Sequence, residues 1–128
     1  MENKATDSER RFNQRYDAAA LKVDVLPVKW FGITTKKHNA IAKNFSLGGV
    51  SIVSEHKLKV DQKVLVSLGC DSHRLQAIPM LVSRCVEKNN EYDITLQFNL
   101  GDLPNAARTA AFSVLKSIEN ELKQGLAA

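Results

Sequence analysis

Two arginines and a polar turn carry the chemistry this sequence offers. Arg11 and Arg15 stand four residues apart, and Arg10 directly precedes them. Residues at that spacing share a face on a helix, and in an extended segment they also point the same way. Each guanidinium is planar and permanently charged. It binds phosphate with two prongs, grips O6 and N7 of guanine, or stacks on a base. Asn44-Phe45-Ser46-Leu47-Gly48-Gly49 supplies the complement. Asn44 and Ser46 are two apart at the end of an expected strand, so their side chains share a face. Their oxygens can accept from the N1–H and N2–H donors of guanine. Gly49, with Gly48 beside it, lets backbone turn or approach where a Cβ would collide. Taken alone, the arginines also suit a solvated charged tail and the second segment an ordinary polar turn.

Short strands must position these groups. Residues 1–17 are polar and read as a flexible arm carrying the arginines; a single domain follows over 18–128. Leu21, Val23 and Val25 alternate with Lys22 and Asp24 in a first strand that continues toward Trp30 and Phe31. Pro27 within it implies an edge position or a bulge. Lys36-Lys37-His38-Asn39 reads as a solvated turn. Ala40 to Phe45 and Val50 to Ser54 are the second and third strands, joined by the turn at Ser46–Gly49. Val64 to Leu68 and Leu75 to Val86 are the fourth and fifth. Asn89-Asn90 then makes a hairpin, because asparagine tolerates positive φ. Tyr92, Ile94, Leu96 and Phe98 alternate with polar residues in the sixth. Six such strands predict a mainly β fold, a closed or nearly closed antiparallel barrel. After Pro104 the period lengthens: Ala107, Ala111, Val114, Leu115, Ile118 and Leu122 lie on one face of a C-terminal helix ended by Gly125. That face packs on the barrel, or else forms a dimer or docking surface.

In order and separation, RxxxR at Arg11–Arg15 followed by NxSxxG at Asn44–Gly49 resembles the ligand signature of the PilZ domain family. The resemblance spans nearly the whole chain and implies a six-stranded PilZ-type barrel with a terminal helix. It implies a receptor for the second messenger cyclic di-GMP, with Arg11, Arg15, Asn44, Ser46 and Gly49 as matching positions. Asn44 stands where many members carry aspartate and offers one acceptor without a full charge, which implies weaker binding. Arg10 matches members that take an intercalated pair of cyclic di-GMP molecules, so two ligands per chain are expected, and Arg10 and Gly48 join the candidate site. Such a receptor signals by changing its surface for a partner protein in trans, which the sequence does not identify.

Composition fits this reading. The chain has 128 residues, 44% hydrophobic and 25% charged, with a net charge of +4. That size forms a core without staples, and a modest basic excess suits an anionic ligand. The first nine residues hold no apolar stretch, so no secretory signal and no membrane insertion are expected, and a cytoplasmic location is expected. Cys70 and Cys85 read as buried reduced thiols. Enzymatic activity is not expected: His38, His56 and His73 are dispersed, and no nucleophile elbow surrounds Ser46 or Ser51. Cys70-x-x-His73 with Cys85 and His56 would make a zinc quartet, but the spacing fits no common finger, so no metal is expected. A small barrel binding single-stranded nucleic acid is the alternative from another class, weakened by 6% aromatic content. A PilZ-fold adaptor that binds no ligand is the third reading. The protein is expected to be a monomer or weak homodimer.

Overall fold

The computed structural model describes residues 15–28 and 36–124. Among the described residues there are seven strands: β1 (Tyr16–Asp17), β2 (Lys22–Pro27), β3 (His38–Ser46), β4 (Gly49–Ser54), β5 (Lys63–Gly69), β6 (Arg74–Lys88) and β7 (Glu91–Phe98). A single turn of 3-10 helix at Leu100–Asp102 leads to helix α1 (Asn105–Lys123). Strands β3, β2, β5, β6, β7 and β4 pair antiparallel in that order, and β4 pairs back onto β3. This closes a six-stranded barrel, with β1 as an extra strand beside β3. Closure removes the open edges that an unclosed sheet would present.

Alternation explains the ring. Val23 and Val25, Val50 and Ile52, Val64, Val66 and Leu68, Met80 and Val82, and Ile94 and Leu96 all point inward and are buried. Each such side chain stabilises the fold by roughly 1.5–3 kcal/mol through removal from water. Phe45 is fully buried and meets Phe98 edge to face, with centroids 6.1 Å apart. The Asn89–Asn90 hairpin forms as expected, with φ of 51° and 68°, the pair of positive values a type I′ turn requires. Pro27 pairs with Val64 of β5, while pairing of β2 with β3 stops at Val25 and His38. Proline therefore sits where no donor is needed on the β3 side.

Several expectations change. His38 and Asn39 are not a solvated turn: they pair with Val25 and Asp24 as the start of β3. The His38 ring, half-buried, has its centroid 4.2 Å from that of the exposed His56. Tyr16 and Asp17, expected to end the flexible arm, pair with Phe45 and Asn44. Ala18 behind them is fully buried, which anchors the chain at that point. The continuation of the first strand to Trp30 and Phe31, the arm through Gln14 and the stop at Gly125 lie outside the described residues. In α1, Ala111, Leu115 and Ile118 are buried on the barrel, with Val114 and Leu122 packed beside them. Ala107 is exposed, as are the other residues from Asn105 to Ala110 in the first turns of the helix. Both cysteines are free and only partly buried.

Candidate functional site

The candidate site starts from Phe45. Because that ring is buried in the core, Asn44 and Ser46 on either side must face outward. A bulge between Ala42 and Asn44 adds Lys43 to β3, so that Asn44 comes opposite Ser51. On its other side Asn44 pairs with Asp17 of β1. Arg15 immediately precedes this short strand, so the β1–β3 pairing carries it to the end of β3.

The turn is held by its own serine. Ser46 Oγ accepts from the Gly48 amide at 3.1 Å and donates to the Gly49 carbonyl at 3.5 Å. A hydroxyl has two acceptor positions, so one remains for another donor. Gly49 opens β4 against β7, and a Cβ there would overlap the carbonyl oxygen of Leu96. The close approach of two backbones, rather than a left-handed φ, is what glycine provides here. The Gly48 carbonyl accepts from the Phe98 amide at 3.0 Å and ties the turn to the end of β7.

Arg15, Asn44, Ser46, Gly48 and Gly49 line one open groove of about 230 Å³, completed by Ser51, Thr95 and Gln97. A second groove of about 250 Å³ shares Arg15, Asn44, Ser51 and Thr95 with it and adds Lys43, Arg84, Lys88 and Asp93. Asp93 bridges Lys88 at 3.2 Å and Lys43 at 3.4 Å. The Lys88 hydrogen bond, reinforced by Lys43, holds its carboxyl below the usual range. One acid thus offsets part of a surface carrying Arg15, Lys43, Arg84 and Lys88. Such a surface attracts phosphate, and its hydroxyl and amide groups can read a base edge. Arg10 and Arg11 lie outside the described residues.

Sequence reading missed Lys43, Ser51, Arg84, Lys88, Thr95 and Gln97. They occupy outward positions of β3, β4, β6 and β7, which alternation alone marks as solvated. A bulge between Val82 and Arg84 sets Arg84 opposite Thr95, and only that register discloses the cluster. A recess of about 260 Å³ includes Lys22, Asp24, Lys37, Ser67, Cys70 and Arg74 in its lining, and another of about 470 Å³ includes Pro27, Lys36, His38, His56 and Gln62. Neither holds any of the motif residues, and volume alone does not outweigh that. The zinc quartet does not assemble: His56 stacks on His38, and Cys70 and His73 meet Glu121 instead.

The PilZ domain family model matches residues 9–113. The chain belongs to the PilZ domain family. No curated protein matches it in sequence. Among solved structures, the MrkH–c-di-GMP complex of K. pneumonia is similar with a TM-score of 0.63 at 17% identity, covering 91% of this chain and 54% of that one. The Bacillus subtilis inhibitor of motility MotI/DgrA aligns with a TM-score of 0.61 at 17% identity, over 88% of this chain and 52% of its own. The PilZ domain of Escherichia coli YcgR with c-di-GMP aligns with a TM-score of 0.54 at 14% identity, over 91% and 98%. This PilZ domain thus spans about half the length of MrkH and MotI. Among the described residues, no helix is long and apolar enough to cross a membrane.

Proposed function

We propose that this PilZ domain is a non-enzymatic receptor for cyclic di-GMP that works in the cytoplasm. The observation carrying the reading is the groove shared by Arg15, Asn44, Ser46, Gly48 and Gly49 in a chain of this family. Similar folds bound to c-di-GMP in YcgR and MrkH support it. In the reading, Asn44 Oδ1 and the free acceptor position of Ser46 meet the Watson–Crick edge of one guanine. Arg15 and Arg11 take a phosphate and a Hoogsteen edge, where guanine offers two acceptors and adenine places a donor. Lys43, Arg84 and Lys88 add favourable potential along the adjoining groove.

Arg10 extends the site to a second ligand. Two stacked cyclic dinucleotides bring four phosphates together, and a further fixed cation offsets their repulsion. Two molecules per chain are the proposed stoichiometry. Engagement of Arg10 and Arg11 with the ligand remakes one face of the barrel for a partner in trans. Titration calorimetry tests this directly. Cyclic di-GMP should bind with two ligands per chain, and cyclic di-AMP and GTP should not compete at equal concentration. Equal binding of the adenine analogue, or no heat with cyclic di-GMP, would overturn the reading.

A further inference from the structure

At the inner face of α1 a carboxylate stands where the helix is otherwise apolar. Glu121 is only 7% exposed, in line with buried Ala111, Leu115 and Ile118. Burying a carboxylate is costly unless it is paired. Among the described residues no lysine or arginine pairs with it; its partners are a thiol, an imidazole and the Ser72 hydroxyl. The Cys70 Sγ donates to Glu121 Oε1 at 2.8 Å, and His73 Nδ1 lies 2.7 Å from the same oxygen. Cys70 and His73 are held by the turn joining β5 to β6, where the Cys70 amide donates to the His73 carbonyl at 3.0 Å. Three ligand atoms, one each of sulfur, nitrogen and oxygen, thus lie within 4.8 Å of one another.

We propose that Cys70, His73 and Glu121 form a zinc site that fastens helix α1 to the β5–β6 turn. The donor set is borderline-soft and suits zinc over magnesium or calcium, which take oxygen ligands. Zinc lies roughly 2.0–2.3 Å from such ligands, so tetrahedral ligand atoms stand about 3.5 Å apart. Zinc binding requires the present separations of 2.8 Å and 2.7 Å at Glu121 Oε1 to open to that distance, and all three atoms already lie within 4.8 Å of one another. Charge also balances: a thiolate, a carboxylate, a neutral imidazole and a divalent cation sum to zero. The thiolate is the metal ligand, so binding releases the Cys70 thiol proton. His73 is part-exposed, so a water completes the tetrahedron. The site is separate from the groove at Asn44 and Ser46 and does not depend on what that groove binds.

Cobalt(II) is the probe, because a thiolate ligand gives it a charge-transfer band and a tetrahedral site gives strong visible bands. The metal-free Cys85→Ser chain keeps Cys70 as its one cysteine. It should take one cobalt per chain with both sets of bands, and one equivalent of zinc should bleach them. Cys70→Ser should lose the charge-transfer band, and Glu121→Gln should weaken cobalt binding at least tenfold. Zinc should raise the melting temperature of the wild type and leave that of Cys70→Ser unchanged. No charge-transfer band in Cys85→Ser would overturn the proposal and leave a hydrogen-bonded trio. The same band in Cys70→Ser would overturn it too, since the thiolate would then be Cys85.

Discussion

Replacing Gly49 with alanine should destabilise the barrel far more than one methyl group suggests. The added Cβ would overlap the Leu96 carbonyl oxygen and lie 3.1 Å from its carbon and 3.2 Å from the Gln97 Cα. All three are backbone atoms of β7, so no side-chain rotation relieves the clash. The β4–β7 pairing must part where Gly49 faces Gln97 and Val50 faces Leu96. Overpacking of this kind costs about 1–3 kcal/mol, and one lost ladder hydrogen bond adds about 1 kcal/mol. The expected loss is therefore about 2–4 kcal/mol, a large share of the roughly 5–15 kcal/mol typical of a domain. Urea unfolding should show a midpoint lowered by roughly 1–2 M with an unchanged slope. Gly101→Ala is the control, because nothing lies within 4 Å of its Cβ position. It should stay within about 0.5 kcal/mol of the wild type. A Gly49→Ala variant as stable as Gly101→Ala would refute the close-approach argument.

Arg15→Ala should weaken cyclic di-GMP binding by about 2 kcal/mol or more, near thirtyfold, with little change in the ligand-free melting temperature; calorimetry and a thermal melt read the two effects separately. Arg10→Leu should retain binding but reduce the stoichiometry from two ligands to one, and an unchanged value of two would remove Arg10 from the argument. Hydrogen exchange should find Tyr16 and Asp17 protected before ligand is added, and fast exchange at both would contradict their pairing with β3. Burial, then the neighbouring His56, lowers the His38 pKa in the folded protein. The unfolded chain thus binds protons first, so stability is complete above about pH 6.5 and falls as pH drops below it. Urea midpoints at pH 7.5 and 5.5 should differ accordingly, and His38→Gln should flatten that difference.

Much of the fold was legible because a barrel strand has one wet and one dry face. Val23 and Val25, or Ile94 and Leu96, announce their strands by period two, and Asn89-Asn90 announces its turn. What stayed hidden depends on partners rather than on local pattern. A strand of two residues at Tyr16–Asp17 has no periodicity to read. His38 and Asn39 are polar yet join β3, since Val25 and Asp24 lie opposite. Glu121 interrupts an apolar stripe, and only the β5–β6 turn explains it. The same division holds for the candidate site. Asn44, Ser46 and Gly49 were legible from their own spacing, and Arg15 from its spacing to Arg11. Arg84 and Lys88 were not, because the strand register that carries them to Asn44 passes through bulges between Val82 and Arg84 and between Ala42 and Asn44.

The central claim is that cyclic di-GMP occupies the groove between Arg15 and the Asn44–Gly49 turn. Amide chemical-shift mapping of the labelled protein during a cyclic di-GMP titration tests it most directly. The largest changes should fall on Arg15, Asn44, Ser46, Gly48 and Gly49, extending to Ser51 and Thr95, while Lys22, Ser67 and Arg74 around the separate recess stay in place. Shifts centred on that recess, or none at saturating ligand, would contradict the account.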